Sequence, residues 1–179
     1  MDNWPVWATE EVEIQSPNPE WLEKGRQERE RLLELLLPLG ILEVEHIGST
    51  SIPGLPAKPI IDIMASTEAF HNLNEIIDVL SQFDWHYVPP ELDGREWRRF
   101  FVKVRDDKRA AHLHLMLKNE ERWGQQLQFR DILRKDYDLV NEYSEIKVRL
   151  AQQFKNDREA YTEAKTHFIQ NVWRGASGV

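Results

Sequence analysis

The chain has 179 residues, a length that suits one domain with an adequate hydrophobic core. It contains no cysteine, which excludes disulfides, thiolate metal sites and a cysteine nucleophile. The formal net charge of −8 argues against a general nucleic-acid-binding surface, which needs a basic face. The first residues are acidic and rich in tryptophan, unlike a signal peptide, and no apolar run approaches the ~20 residues of a membrane span. We therefore expect a cytoplasmic protein that does not enter the membrane.

The first 40 residues predict an irregular or strand-like lead-in, residues 1–17, followed by a long helix. Asn18 caps this helix, and Pro19 is tolerated at its first position because no hydrogen bond is lost there. Pro38 and Gly40 predict its end.

The next segment predicts two strands, 41–47 and 60–65, that are joined by a Gly-Ser turn and a proline-rich loop. A helix capped by Ser66 or Thr67 is predicted to reach about Ser81, because its apolar residues are spaced by three and four.

The second half predicts strands followed by helices. Three strands are expected, at 84–88, 98–105 and 110–117, the last two as a hairpin across 106–108. From about Glu120 the chain predicts helices, with a break at 156–157 and a mobile tail at 172–179. This order predicts an α+β fold in a single domain, with a mixed β-sheet flanked by helices and with further helices at the C-terminus.

The turn Gly48-Ser49 follows the first predicted strand. Glycine permits close backbone approach, so backbone N–H groups and the Ser49 hydroxyl can cradle phosphate oxygens there. A plain turn is the competing interpretation. A P-loop is excluded, because five residues separate Gly48 from Gly54 and Pro59 directly follows Lys58.

Asp62 stands inside an otherwise apolar strand. A buried carboxylate without a partner is costly, so a compensating group is expected beside it. A metal ion next to a phosphate-binding turn is one answer. A salt bridge to Lys58 or to an arginine is the other.

His112 and His114 project from one face of a predicted strand, because strand side chains alternate. Two histidines at this spacing suit a shared metal ion or phosphate, although two half-exposed histidines would show the same pattern. His46, on another predicted strand, is a candidate for the same cleft.

Basic residues are concentrated between Arg95 and Arg109 in this acidic chain. The stretch is interpreted either as a solvated hairpin or as a local anion site, for which Arg99 is the candidate contact. Further cations on the predicted helices suit either phosphate contacts or helix salt bridges: Arg130, Arg134, Lys147 and Lys165.

The segment VEHIGSTSIPGLPAKPIIDI, residues 44–63, resembles the hallmark of the GrpB family, a group of small and poorly characterised bacterial proteins. Later segments resemble the family in the same order: HLHL at 112–115, FRDILRKDY at 129–137, YSEIK at 143–147 and YTEAK at 161–165. The resemblance extends from about Trp21 to Phe168. It implies the fold of the nucleotidyltransferase superfamily, to which GrpB proteins are assigned.

In active members of that superfamily, a Gly-Ser turn holds nucleotide phosphates and a D-x-[DE] pair of acids binds Mg²⁺. The resemblance therefore implies a phosphate site at Gly48 and Ser49, and we add Thr50, Lys58 and Arg99 as candidate phosphate contacts.

Asp62 matches the first acid of the superfamily pattern, but Met64 stands at the second position. Methionine does not bind Mg²⁺, a hard ion that requires oxygen ligands, so ordinary two-magnesium chemistry is disfavoured. His112 and His114 occur where a third acid is expected. One Asp and two His suit Zn²⁺, Mn²⁺ or Fe²⁺ better than Mg²⁺. We expect Asp62, His112 and His114 to be metal ligands, with Asp62 and His114 catalytic.

Three functions remain open. The first is a nucleotidyl- or phosphoryltransferase that depends on a divalent metal (Mg²⁺, Mn²⁺ or Zn²⁺) and acts on a nucleotide or phosphate-bearing metabolite. The second is a catalytically inactive module that binds such a ligand, favoured by the loss of the second acid. The third is an accessory domain in coenzyme A or nucleotide metabolism, because some relatives are joined to dephospho-CoA kinase.

Overall fold

The computed structural model describes residues 5–176, so residues 1–4 and 177–179 lie outside the described chain. The strands are β1 Glu43–Ile47, β2 Ile61–Thr67, β3 Trp85–Val88, β4 Arg98–Arg105 and β5 Lys108–Leu117. The helices are α1 Glu20–Leu36, α2 Leu73–Ser81, α3 Pro90–Asp93, α4 Glu121–Leu133, α5 Tyr137–Gln153, α6 Arg158–Ala164 and α7 Thr166–Ala176. The predicted α+β class is confirmed.

The strands form one mixed sheet in the order β1-β2-β5-β4-β3. Strands β2 and β5 are parallel, and every other neighbouring pair is antiparallel. The register of the parallel pair sets Asp62 beside His112 and Met64 beside His114. Because paired residues in register point to the same face, this pairing brings the acid and the histidines together.

Helices α1 and α2 cover one face of the sheet with a large apolar core. Ile61 and Ile63 of β2, and Leu113 and Leu115 of β5, point into this core and are buried. Side chains alternate along a strand, so the residues between them point to the opposite face. That opposite face carries Asp62, His112 and His114.

The C-terminal helices form a second core with the loop after the Gly-Ser turn. Ile52 and Leu55 from this loop pack with aromatic residues of the helices, and the rings of Tyr143 and Phe168 stack with centroids 4.6 Å apart. The last helix reaches Ala176, so residues 172–176 are helical where the sequence predicts a mobile tail. Residues 177–179 of that tail lie outside the described residues.

Two local predictions have different outcomes. The hairpin is confirmed: Asp106 and Asp107 join β4 to β5 with φ values of 51° and 58°. The predicted cap at Ser66 or Thr67 is wrong, because both residues continue β2 and pair with β5; α2 begins only at Leu73.

The lead-in is partly regular. Val6–Thr9 forms a 3-10 turn, and Gln15 pairs with Ala57 in an isolated bridge. Within residues 5–176, no helix has the length and apolar character needed to cross a bilayer.

Gly25 of α1 lies against the buried His46 ring of β1. A Cβ at Gly25 would lie 2.0 Å from His46 Nδ1, far inside contact distance. We expect Gly25→Ala to lower the free energy of unfolding by about 1–3 kcal/mol, the typical cost of overpacking. Gly124→Ala is the matched control, since a Cβ at this exposed position of α4 meets nothing within 4 Å. Chemical denaturation of both variants measures the difference, and a Gly25→Ala protein as stable as the Gly124→Ala protein would contradict the packing described.

Candidate functional site

The Gly-Ser turn lies directly against the Asp62 carboxylate. Gly48 has a φ of 72°, and a Cβ there would lie 2.9 Å from Asp62 Oδ2. Any other residue would be strained at this φ and would crowd the carboxylate. The turn continues as a 3-10 segment, Ser49–Ser51, so glycine lets the chain fold back beside the acid of the neighbouring strand.

The Asp62 carboxylate accepts hydrogen bonds from two histidines. His112 Nδ1 lies 3.1 Å and His114 Nε2 lies 3.2 Å from Asp62 Oδ1. The competing expectation, a salt bridge from Asp62 to Lys58 or an arginine, is therefore wrong. Burial raises the pKa of the Asp62 carboxyl, but the hydrogen bonds from both histidines outweigh burial and hold the pKa well below its usual value.

The two histidine rings are held in a largely buried, aromatic setting. The Phe100 ring lies 5.1 Å from the ring of His112 and 5.4 Å from that of His114, centroid to centroid. Burial lowers the pKa of His112 to about 4 despite the attraction of Asp62. Burial, with the charge of Arg98, also lowers the pKa of His114. Both rings are therefore neutral near pH 7, the form that binds metal ions.

The donor atoms of Asp62, His112 and His114 fit one divalent ion. All three lie within 4.8 Å of one another. Ligands roughly 2.1 Å from a shared ion lie about 3 Å apart, close to the observed separations from Asp62 Oδ1. Met64 is fully buried beside them and offers no oxygen, so the donor set suits a single ion of the His-and-carboxylate type.

A cleft of about 830 Å³ opens over this acid and these histidines. This volume lies within the range of small-molecule binding sites. Although the whole chain is acidic, the described residues that line the cleft include more cations than acids. The cations are Lys58, Arg95, Arg98, Arg109, Lys147, Arg158 and Lys165, and the acids are Asp62, Asp93 and Glu159.

Three of these cations are lysines without acidic partners: within residues 5–176, Lys58, Lys147 and Lys165 form no salt bridge. Burial, reinforced by the charges of Lys165 and Arg158, lowers the pKa of Lys58 to about 7. Burial lowers the pKa of Lys165 to about 8, and burial with the other two lysines lowers the pKa of Lys147 well below its usual value. No acid of residues 5–176 pairs directly with these three lysines, so their positive charge is incompletely balanced.

One face of α6 adds unsatisfied donors to this cleft. Arg158 and Tyr161, three residues apart, line the cleft, and Lys165 follows four residues later. Among the described residues, neither Arg158 Nη1 nor the fully buried Tyr161 hydroxyl has a hydrogen-bond partner. Such orphaned groups are rare in native proteins and suit a ligand that supplies acceptor atoms. Sequence analysis missed Arg158 and Tyr161, although their spacing with Lys165 on one helical face was a signal.

The structure brings most of the predicted phosphate contacts to the cleft: Gly48, Ser49, Thr50 and Lys58 line it. The Thr50 hydroxyl, however, already lies 2.9 Å from His46 Nε2. The expectation for Arg99 is wrong, because Arg99 points to the other face and lies 4.2 Å over the Phe70 ring. Its neighbour Arg98 lines the cleft instead.

Other candidates divide between the cleft and the scaffold. His46 faces α1 rather than the cleft, so that expectation is wrong. Arg130 pairs with Glu45 and Asp131, and Arg134 donates to the Ser51 carbonyl, so both arginines support the fold. Lys147 and Lys165, by contrast, line the cleft.

The sequence matches the family model described as GrpB protein over residues 11–174. The UPF0157 protein YqkA of Bacillus subtilis is 33% identical over 176 residues, covering 96% of this chain and 49% of its own length. A UPF0157 protein of Pseudomonas aeruginosa is 32% identical, covering 94% of this chain and 69% of its own length. A dephospho-CoA kinase of Mycolicibacterium paratuberculosis is 26% identical, covering 92% of this chain and 46% of its own length. This chain thus spans about half the length of the Bacillus relative.

Solved structures agree with the expected fold. GrpB from Enterococcus faecalis has a TM-score of 0.80 at 29% identity, covering 92% of this chain and 96% of that chain. Cid1, described as an RNA terminal uridylyl transferase, has a TM-score of 0.56 at 10% identity, with 78% and 42% covered. The GLD-2/RNP-8 complex has a TM-score of 0.55 at 14% identity, with 83% and 50% covered. The last two likenesses concern the fold alone, and the nucleotidyltransferase-like fold is confirmed.

Proposed function

This chain belongs to the GrpB family, and we propose that its cleft binds a nucleotide or a related phosphate-bearing metabolite and transfers a nucleotidyl or phosphoryl group with the help of one divalent ion. The charge of the cleft carries this proposal. Lys58, Lys147 and Lys165, which we call the cation wall, are partly or fully buried and form no salt bridge within residues 5–176, and they line the cleft together with Asp62 and two histidines in an acidic protein. Phosphate groups supply the negative charge and the acceptor atoms that this wall lacks.

The phosphate contacts in this proposal come from both sides of the cleft. Lys58 and Lys165 provide positive charge, while Arg158 and Tyr161 provide the unpaired donors. The backbone at Gly48 closes the site beside Asp62. A bound phosphate favours the charged form of each lysine, so binding restores the protonation that burial weakens.

Asp62, His112 and His114 are the residues that would hold the ion, which would act as a Lewis acid toward a phosphoryl oxygen. The surrounding lysines and arginines neutralise the charge that develops on the phosphate oxygens. Fully buried Met64 prevents a second ion at the usual superfamily position, because its thioether is a poor ligand for hard cations. The proposed reaction therefore depends on Asp62 and His114 rather than on paired acids.

A binding module without turnover is the second candidate, and Met64 is the observation that favours it. In this alternative, the cleft keeps the proposed phosphate contacts while the missing carboxylate removes the chemistry, since a fold does not by itself imply an activity. An accessory role in coenzyme A metabolism, the third possibility, depends only on the similarity to a dephospho-CoA kinase.

The cation wall predicts that Lys165→Met weakens binding of a nucleoside triphosphate by about 10- to 100-fold, the usual effect of losing one hydrogen bond to a charged group. Lys24→Met is the matched control, since Lys24 is exposed on α1 and its salt bridge joins it to the exposed Glu20 one turn away. Isothermal titration calorimetry of both variants and the wild type, with Mg²⁺ or Mn²⁺ present, measures the effect. Equal affinities in all three proteins would exclude the wall as the phosphate site.

Turnover separates the enzyme from the binding module. We expect the wild type with Mn²⁺ to hydrolyse a labelled nucleoside triphosphate, with water as the acceptor of the transferred group and pyrophosphate or the nucleoside diphosphate as the leaving group. Asp62→Asn should lower that rate by at least about 100-fold, since the amide is a much poorer ligand for an ion. Thin-layer chromatography of the labelled nucleotide measures the rate. Tight binding without product under any divalent ion would favour the binding module, and unchanged turnover in Asp62→Asn would refute the role of Asp62.

A further inference from the structure

In His112 and His114, one ring nitrogen (the inner one) faces Asp62, and the other (the outer one) contacts an arginine. Arg98 Nη1 hydrogen-bonds His114 Nδ1, and Arg109 Nη1 lies 3.4 Å from His112 Nε2. Arginine has five N–H donors and no acceptor, so each histidine nitrogen that meets an arginine must be the accepting one. The proton of each neutral ring is therefore on the inner nitrogen, where it is donated to Asp62.

This arrangement is unfavourable for a divalent ion in the free protein. A metal ion binds the lone pair of a neutral histidine, and the opposite ring nitrogen then carries the proton and needs an acceptor. Here both inner nitrogens carry protons, and both outer nitrogens meet donors. Ion binding at Asp62 thus requires Arg98 and Arg109 to withdraw from His114 and His112.

Each of the two arginines also donates to an oxygen acceptor of the protein. Arg98 is paired with Asp93, with Nε 2.8 Å from Oδ2 and Nη2 2.5 Å from Oδ1. Arg109 Nε donates to the Trp7 carbonyl at 2.8 Å. A shift of each guanidinium would release an oxygen of Asp93 or Trp7, the kind of acceptor that a metal-bound histidine needs on its opposite ring nitrogen.

We propose, building on the phosphate site proposed above, that Arg98 and Arg109 are positioning residues that keep the ion site closed until a phosphate group draws them toward itself. Both arginines line the cleft. A phosphate in the cleft attracts them through charge-assisted hydrogen bonds and at the same time offsets the positive charge of the incoming ion. Phosphate and ion consequently bind cooperatively, and each raises the affinity of the other by the same factor.

Arg109 offers the cleaner test, because Arg98 is buried in an ion pair with Asp93 whereas Arg109 is only half-buried. Arg109→Gln replaces a donor-only group by an amide whose oxygen can accept the proton of His112. Arg109→Lys is the matched control, since lysine keeps the charge and remains donor-only. Thermal denaturation checks that both variants are folded.

The probes are Mn²⁺ and inorganic phosphate. Electron paramagnetic resonance measures free Mn²⁺ in titrations of each protein with and without phosphate, and calorimetry measures phosphate binding without Mn²⁺. We expect phosphate to raise the Mn²⁺ affinity of the wild type and of Arg109→Lys by about tenfold, a typical coupling between sites. Arg109→Gln should bind Mn²⁺ about tenfold more tightly than the wild type when phosphate is absent, and should gain less from phosphate.

The outcomes separate this proposal from the proposed function. If phosphate binds but Mn²⁺ affinity is the same with and without it, or if the Gln and Lys variants behave alike, the arginines do not gate the ion and only this proposal falls. If phosphate does not bind the wild type at all, the phosphate site itself falls, and the gating with it.

Discussion

The burial of lysine ammonium groups without acidic partners is the constraint on which the rest of the site depends. Lys147 is 1% exposed, and its Nζ donates to the Pro56 carbonyl at 2.5 Å. A buried charge without a counter-charge is costly, and the protein accommodates it by lowering lysine pKa values. The chain contains 31 acids, yet none within residues 5–176 forms a salt bridge with Lys58, Lys147 or Lys165. The missing acidic partners are therefore the informative feature of the site.

The cleft exists because two parts of the chain meet over the sheet. The parallel pairing of β2 with β5 sets Asp62 between His112 and His114 on the face that α1 and α2 leave open. Helix α5 then brings Lys147, and the C-terminal end of α6 brings Lys165, to the opposite side of the cleft. The acid and the histidines therefore come from the sheet, and much of the positive charge comes from the C-terminal helices.

The same geometry couples the proposed divalent ion to the proposed phosphate. The proposed ion needs the lone pairs of the two histidine nitrogens that face Asp62. The arginines that donate to the outer ring nitrogens are themselves attracted by the proposed phosphate. Electrostatics acts in the same direction, because an ion enters a cation-lined cleft more readily after an anion has entered. In this proposal, phosphate binding, ion binding and the positions of Arg98 and Arg109 form one coupled equilibrium.

Sequence alone predicted that Asp62, His112 and His114 lie together, because strand periodicity decides which residues share a face. The same periodicity shows why the prediction that Arg99 contacts phosphate was wrong. One step along β4 separates Arg98, which lines the cleft, from Arg99, which lies over Phe70. The position of His46 could not be predicted, since it depends on the close approach of α1 at Gly25. The spacing of Arg158, Tyr161 and Lys165 was a signal for their shared helical face, but the unpaired Tyr161 hydroxyl could not be predicted, because tertiary packing decides whether it finds a partner among the described residues.

The central claim is that phosphate groups occupy the space between Asp62 and the lysines. A crystal structure of the protein with a nucleoside triphosphate and Mn²⁺, with the Mn²⁺ located by anomalous scattering, tests this most directly. We expect one Mn²⁺ bound by Asp62, His112 and His114, phosphate oxygens on Lys58, Lys165 and Arg158, and Arg98 withdrawn from His114. A nucleotide bound elsewhere, or a cleft that stays empty at saturating nucleotide, would contradict this account.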